Sequence, residues 1–429
     1  MTDAAAWEAL LLGFSPAFTS ASLPVFQQLA TAWVLCVGRR VVTRIYQVAE
    51  PMGHRAHDAY HRFLREGAWF TSELWKLLAL KLVAAFYAHG TIPLDIDDTL
   101  FHKAGRKIRG AAWWRDAVRS SGQKVVHAFG LNLLVLTLRV EPPWGGEPIG
   151  LPINMRLHRK GGPGLLELTK ELMREVAAWF PDRHFHLCGD GFFASLAGAS
   201  LPRCHLTSRM RRDAALYRPA PKPRKRRRGR PRKKGARLPT PEGMAKSTKG
   251  WRLVDVQERG KTRPRLILSR IVLWYAVCGD QPILFVISRD PKGKEHDDFF
   301  FTTDLSLPPE DVISIYAGRW CIEDTFKNVK QLLGGEDPQT WRHKGPERAA
   351  ALSFWLYSLV WYWYLTTQGA RPSLPRRPWY TKKCTPSFAD AMASLRRALW
   401  RQRIFAPSGN TAQPRSIVGA LVELLAYAA

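Results

Sequence analysis

Carboxylates are scarce in this chain: its 429 residues hold 36 Asp and Glu against 65 Lys and Arg, a formal charge of +29 at pH 7. Such an excess repels itself unless a polyanion neutralises it, so nucleic acid is the expected partner. Cysteine is also sparse. Cys36, Cys188, Cys204, Cys278, Cys321 and Cys384 include no Cys-x2-Cys pair, which speaks against a zinc ribbon or a disulfide framework and fits a reducing compartment. No Lys or Arg precedes Arg39, whereas Asp3 and Glu8 do, the reverse of a signal peptide's charge order, and secretion is not expected. Long hydrophobic runs are missing too. The longest uncharged one, Ala349 to Leu365, sits at the lower limit for a membrane span, and its Trp and Tyr residues fill the middle and end rather than two interface belts. It reads as a core helix, with no membrane partner.

What is present describes a globular chain, 46% hydrophobic and 24% charged, with one to three domains. Residues 1–90 carry helical periodicity, including Val25 to Tyr46 and Phe70 to Tyr87, and are expected to be a helical DNA-binding region. After the Gly-Thr-Ile-Pro break at 90–93 the pattern turns to strands: Leu94 to Thr99, Val125 to Val140, and Ile149 to Leu157. An amphipathic helix, Leu165 to Phe180, and a short buried strand, His184 to Cys188, give the order β-β-β-α-β. A further strand is expected at His205 to Met210. Composition then breaks sharply, with ten Lys or Arg between Lys222 and Lys234, interspersed with prolines, which reads as exposed coil. Strand-like segments at Trp251–Val256, Arg265–Val277, Pro282–Ser288 and Asp298–Thr302 follow as a β-rich insertion. The expected divisions are 1–90, 91–210, 211–305 for the basic arm and insertion, 306–345, and a helical 346–429.

Residues 316–330 are the most informative. On one continuous helix, offsets of 0, 3, 7 and 14 gather Tyr316, Arg319, Glu323 and Lys330 within an arc of roughly 60°. That edge would carry a carboxylate between cations and a phenol, beside an apolar face of Ile322, Phe326, Val329 and Leu333, with Gly334-Gly335 as its stop. Such a rim suits a metal ion and phosphate oxygens. Two further acidic signals, Leu94-Asp95-Ile96-Asp97-Asp98-Thr99 and Gly189-Asp190-Gly191, fall at the expected ends of buried strands, where an ionised side chain is costly without a cation. Alternation along a strand puts Asp95 and Asp97 on one side and Asp98 on the other.

The spacing Tyr-x2-Arg-x3-Glu-x6-Lys resembles the YREK signature of bacterial insertion-sequence transposases in the IS-four superfamily, as do Thr303-Asp304-Leu305 before it and Lys330-Gln331-Leu332-Leu333-Gly334 at its end. The resemblance covers about residues 91–345. It implies an α/β fold with an RNase H-like core, a mixed sheet with helices interrupted by a β-rich insertion and flanked by helical N- and C-terminal regions. It further implies a DDE transposase that cleaves transposon ends and transfers strands into target DNA. Asp97, Asp190 and Glu323 would then be the catalytic carboxylates and the ligands of two Mg2+ ions, with Mn2+ as a substitute. The family's Asp-x-Thr pattern selects Asp97, with Asp98 as runner-up. Tyr316, Arg319 and Lys330 would grip phosphates of double-stranded DNA, and a homodimer on DNA in the bacterial cytoplasm, associated with the nucleoid, is implied.

Within the basic run, Arg228-Gly229-Arg230-Pro231 matches an AT-hook core whose arginines enter a narrow minor groove. A flexible polycation that raises general DNA affinity is the plainer reading. Two other functions remain open from sequence: a non-catalytic DNA-binding or architectural protein, and an RNase H-like nuclease without strand transfer. His54, His57 and His61 share a basic helix with Arg55, Arg62 and Arg65, which favours phosphate contact over zinc.

Overall fold

The computed structural model of the chain describes residues 3–221, 232–369, 374, 381–405, 421, 422, 425 and 426. Five helices come first: α1 (Asp3–Leu12), α2 (Ser22–Leu35), α3 (Val42–Ala49), α4 (Asp58–Glu66) and α5 (Thr71–Phe86). The continuous helical pattern expected from Val25 to Tyr46 is broken after Leu35, where Cys36 turns to extended backbone and Gly38 takes a positive φ of 72°. The helices close on fully buried aromatics, among them Trp7, Trp33, Trp69 and Trp75.

Strands β1 (Ile92–His102), β2 (Ala112–Arg115), β3 (His127–Val140) and β4 (Ile149–His158) precede α6 (Leu165–Trp179), β5 (Phe185–Gly189) and β6 (Cys204–Arg209). β4, β3 and β1 are antiparallel neighbours; β1, β5 and β6 then run parallel. With β2 set aside as an excursion at one end of β3, the order β4-β3-β1-β5-β6 is that of an RNase H-like core. α6 packs on one face. Two later helices cover the other, which is why β3 reads as an almost unbroken apolar run rather than an alternating one.

The second half supplies α7 (Pro241–Ala245), β7 (Arg252–Glu258), β8 (Lys261–Leu273), α8 (Tyr275–Cys278), β9 (Pro282–Arg289) and β10 (Asp298–Thr302). The β-rich insertion does not stand apart. β10 pairs antiparallel with β6, and β9, β8 and β7 continue outward, so core and insertion form one ten-stranded sheet among the described residues. α9 (Pro309–Gly318), α10 (Cys321–Gln331), α11 (Gly345–Gln368) and α12 (Phe388–Phe405) follow. α11 is buried along most of its length, as its apolar run implies, and no helix among the described residues is long and apolar enough to cross a membrane. Its buried Arg348 donates to the carbonyls of Phe63, Leu64, Gly67 and Trp69, fastening the C-terminal end of α4 and the turn after it.

Two further sequence expectations need correction. The Leu94–Thr99 motif is interior to β1, which runs on to His102, instead of ending a strand. The single signature helix is really two, α9 and α10, joined at Arg319-Trp320 by a tighter turn. There Arg319 N bonds to Tyr316 O, Trp320 N to Ala317 O, Ile322 N to Arg319 O and Glu323 N to Trp320 O, each three residues back. Gly318 makes the close approach possible, since a Cβ there would lie 2.7 Å from Arg139 Nη1.

Candidate active site

β1 and β5 bring the first two carboxylates together. Their parallel register pairs Ile96 with Gly189, so one step further sets Asp97 alongside Asp190. Gly189 is held to glycine by space, because a Cβ would sit 2.8 Å from that of Phe193 and 3.1 Å from Ile96 Cγ2. Asp190 Oδ1 accepts from Phe192 N at 2.9 Å, and Ser208 Oγ donates to the Asp190 carbonyl at 2.7 Å, fixing the turn that presents the carboxylate. Glu323 enters from the first turn of α10 with its side chain 41% exposed.

The α9–α10 corner places Arg319 between Asp97 and Glu323. Its Nη1 donates to Asp97 Oδ2 at 2.7 Å and lies 3.8 Å from Glu323 Oε1. Burial pushes the Asp97 carboxyl up to about 7; Arg319 opposes this, while the charges of Asp190, Glu323 and Asp98 add to it. Asp98 is raised as well, first by burial and then by Asp190 and Glu323, against a hydrogen bond from Asn132. Four carboxylates therefore crowd one rim, and a single guanidinium offsets them incompletely.

Of the expected phosphate-binding residues, Tyr316 and Arg319 stay together despite the break in the helix, the guanidinium lying 5.5 Å from the ring centre. Arg209 of β6 approaches the same ring at 5.6 Å, and Phe300 of β10 packs against it at 4.8 Å. Arg319 Nε is buried without a hydrogen-bond partner. Lys330 lies two turns beyond Glu323 on α10, its amine lowered by burial against the raising charges of Glu336, Asp116 and Glu323. Arg228 and Arg230 lie outside the described residues.

Sequence reasoning missed the support beneath this rim. Asp95 is fully buried and accepts from Arg139 Nε at 3.1 Å, from Arg139 Nη2, and from Cys321 Sγ at 3.4 Å. The aspartate was visible, but nothing in the local pattern of β3 marks Arg139 as its partner, 44 residues away.

Carboxylate oxygens are the hard donors that a small divalent cation takes, and such a cation would offset both the burial and the added repulsion that lift Asp97. The donor set fits in kind. No three His, Cys, Asp or Glu side chains among the described residues form a ready-made cage, and Arg319 already holds Asp97 Oδ2. A cation bound at Asp97 would have to displace or share that guanidinium contact.

Among solved structures, the chain is similar to a piggyBac transposase in a synaptic complex with hairpin DNA, at 11% identity and a TM-score of 0.41, over 97% of this chain and 85% of that one. So distant a likeness has no bearing on function. No curated protein matches the sequence. Residues 13–265, more than half of the chain and including Asp97 and Asp190, match the family described as DDE superfamily endonuclease. The chain belongs to that family of DDE superfamily endonucleases.

Proposed function

We propose that this endonuclease is a transposase of the YREK-signature group, cutting double-stranded DNA at the ends of a mobile element and joining the freed ends to target DNA. The observation that carries the reading is the approach of Asp97, Asp190 and Glu323 from β1, the β5 exit and α10, with Arg319 between Asp97 and Glu323. Endonucleases of this superfamily use divalent metal ions. Asp97, Asp190 and Glu323 would hold two Mg2+ ions, or Mn2+ in their place, which when bound supply positive charge for the attacking and leaving oxygens of an in-line displacement.

The protein's own groups do the positioning. Arg319 exchanges Asp97 for a phosphate that it can fork, Lys330 adds a point charge, and the Tyr316 hydroxyl donates a hydrogen bond. In the first step water attacks phosphorus, its oxygen stays on the 5′-phosphate and the 3′-oxygen leaves with a proton; in the second that 3′-hydroxyl loses its proton as it attacks a target phosphodiester, and the target's own 3′-oxygen leaves, protonated, as a new 3′-hydroxyl. The helical region before about residue 90 is proposed as an end-binding region, the protein acting as a homodimer on DNA.

The test uses linear duplexes that carry the genomic sequences on either side of the gene. With Mg2+, the expected products are strand-specific nicks with 3′-hydroxyl ends and their covalent joining to a plasmid. Nicking without joining would leave a nuclease, and equal cutting by wild type and Glu323→Gln would remove the proposed site altogether.

A further inference from the structure

A second surface, beyond the β1 exit, carries charge that the proposed chemistry does not use. Residues 103–127 contain one acidic side chain, Asp116, and it is buried. Exposed on the same segment are Arg106, Lys107, Arg109, Arg115, Arg119 and Lys124. Large apolar side chains stand among them, Trp113 at 63%, Val118 at 91% and Val125 at 57% exposure, and Trp341 at 44% on the adjoining 336–344 segment. Exposed tryptophan and valine stand within a field of cations of which, among the described residues, Arg119 alone has a carboxylate partner, Asp116 at 3.5 Å, and they need a partner that is anionic and offers flat or grooved apolar surface.

The surface is fastened rather than loose. His102, the last residue of β1, bridges both segments: Nε2 lies 2.9 Å from Asp116 Oδ2 and Nδ1 lies 3.1 Å from Glu336 Oε1. Asp116 Oδ1 also accepts from Val118 N and Arg119 N, each at 3.1 Å, and Arg109 N donates to the Trp341 carbonyl at 3.0 Å. Lys103 Nζ donates to the carbonyls of Glu336 and Pro338. Folding has therefore already ordered this wall, and binding need not.

We propose that residues 103–127 and 336–344 form a preformed wall that binds duplex DNA about half a turn from the scissile phosphate. This rests on the reading that the Asp97 site cuts DNA. His102 follows Asp97 by five residues on one strand, roughly 16 Å at about 3.3 Å per residue. At about 3.4 Å per base pair, a duplex running along β1 would meet the wall about five base pairs from the cut. Lys330, which feels the charges of Glu323 on one side and of Asp116 and Glu336 on the other, lies between the two surfaces.

The experiment measures binding of a 40-base-pair duplex, a length of about four turns, by fluorescence anisotropy across a salt series. It compares wild type, the triple variant Arg106→Glu, Lys107→Glu, Arg109→Glu, and a charge-matched control, Arg270→Glu, Lys292→Glu, Lys294→Glu. All six positions are exposed, so melting temperatures report whether each protein stays folded. The wall variant is expected to lose at least about thirtyfold in affinity at 0.1 M salt, with a log–log salt slope shallower by about 2 to 3, while the control loses much less. Trp113→Ala should weaken binding about threefold to tenfold. Footprinting should lose protection four to six base pairs from the cut. Equal affinity and slope for wall variant and wild type would overturn the wall with the nuclease reading intact. Wild type that binds but never cuts would remove that reading while the wall's salt slope still stood, and wild type that binds no duplex would overturn both.

Discussion

Asp95 and Asp97 lie two residues apart on the same side of β1, yet their surroundings are opposite. Asp95 has no exposed surface and is forked by Arg139, with the Cys321 thiol as a further donor. Asp97 has one guanidinium contact and three carboxylates pressing on it. A buried charge with a full set of partners fixes structure, whereas one surrounded by like charge remains poised for a cation. Asp95 holds the α9–α10 corner onto β1; Asp97 is what that corner serves.

The largest expected effects test this division. Asp97→Asn, Asp190→Asn and Glu323→Gln should each reduce nicking by at least about a thousandfold without lowering the melting temperature. Asp95→Ala should instead destabilise the fold by about 3–5 kcal/mol, because it strands the Arg139 charge in the interior. A stable Asp95→Ala protein that cannot cut would erase the distinction. Replacing both members, Asp95→Leu with Arg139→Met, should recover most of the lost stability, as measured by denaturant unfolding, since an apolar pair removes the unmatched charge.

A smaller effect concerns Arg319. Arg319→Lys should keep the Asp97 ion pair but lower cleavage about tenfold, because an ammonium cannot fork a phosphate. Single-turnover nicking at saturating DNA would read it, and an unchanged rate would reduce Arg319 to a structural counter-ion.

The last is a pH dependence of comparable size. The folded Asp97 carboxyl titrates near 7, above its ordinary value, so a proton competes with any cation there below pH 7. Apparent Mg2+ affinity should rise with pH by up to about tenfold per unit below 7 and level off above it, as followed by titration calorimetry. Without metal the sign for stability is opposite: the folded state holds that proton more tightly than the unfolded chain, so stability falls as pH rises from about 4 to 7. Asp97→Asn should remove both trends.

Local pattern carried much of the architecture. Val125–Val140, Leu165–Phe180 and Pro282–Ser288 lie within a residue or two of β3, α6 and β9, because each has the length, periodicity and breakers of its element. The break in the signature helix was not legible. At the break Gly318 lies close against Arg139, and no window around residue 318 contains that arginine. β2 and the wall beyond it were missed for a similar reason: four residues of Ala-Trp-Trp-Arg acquire a strand only by pairing with β3.

Sequence by itself determined the charge excess, the succession of strands and helices, and the residue types from which an acidic site could be built, since composition and periodicity are properties of the chain. Tertiary structure alone decided which aspartate is neutralised and which is left under repulsion, that the insertion extends the core sheet, and that the signature residues turn a corner. Each of those outcomes is set by distances between segments far apart in sequence, where burial makes the presence or absence of one partner decisive.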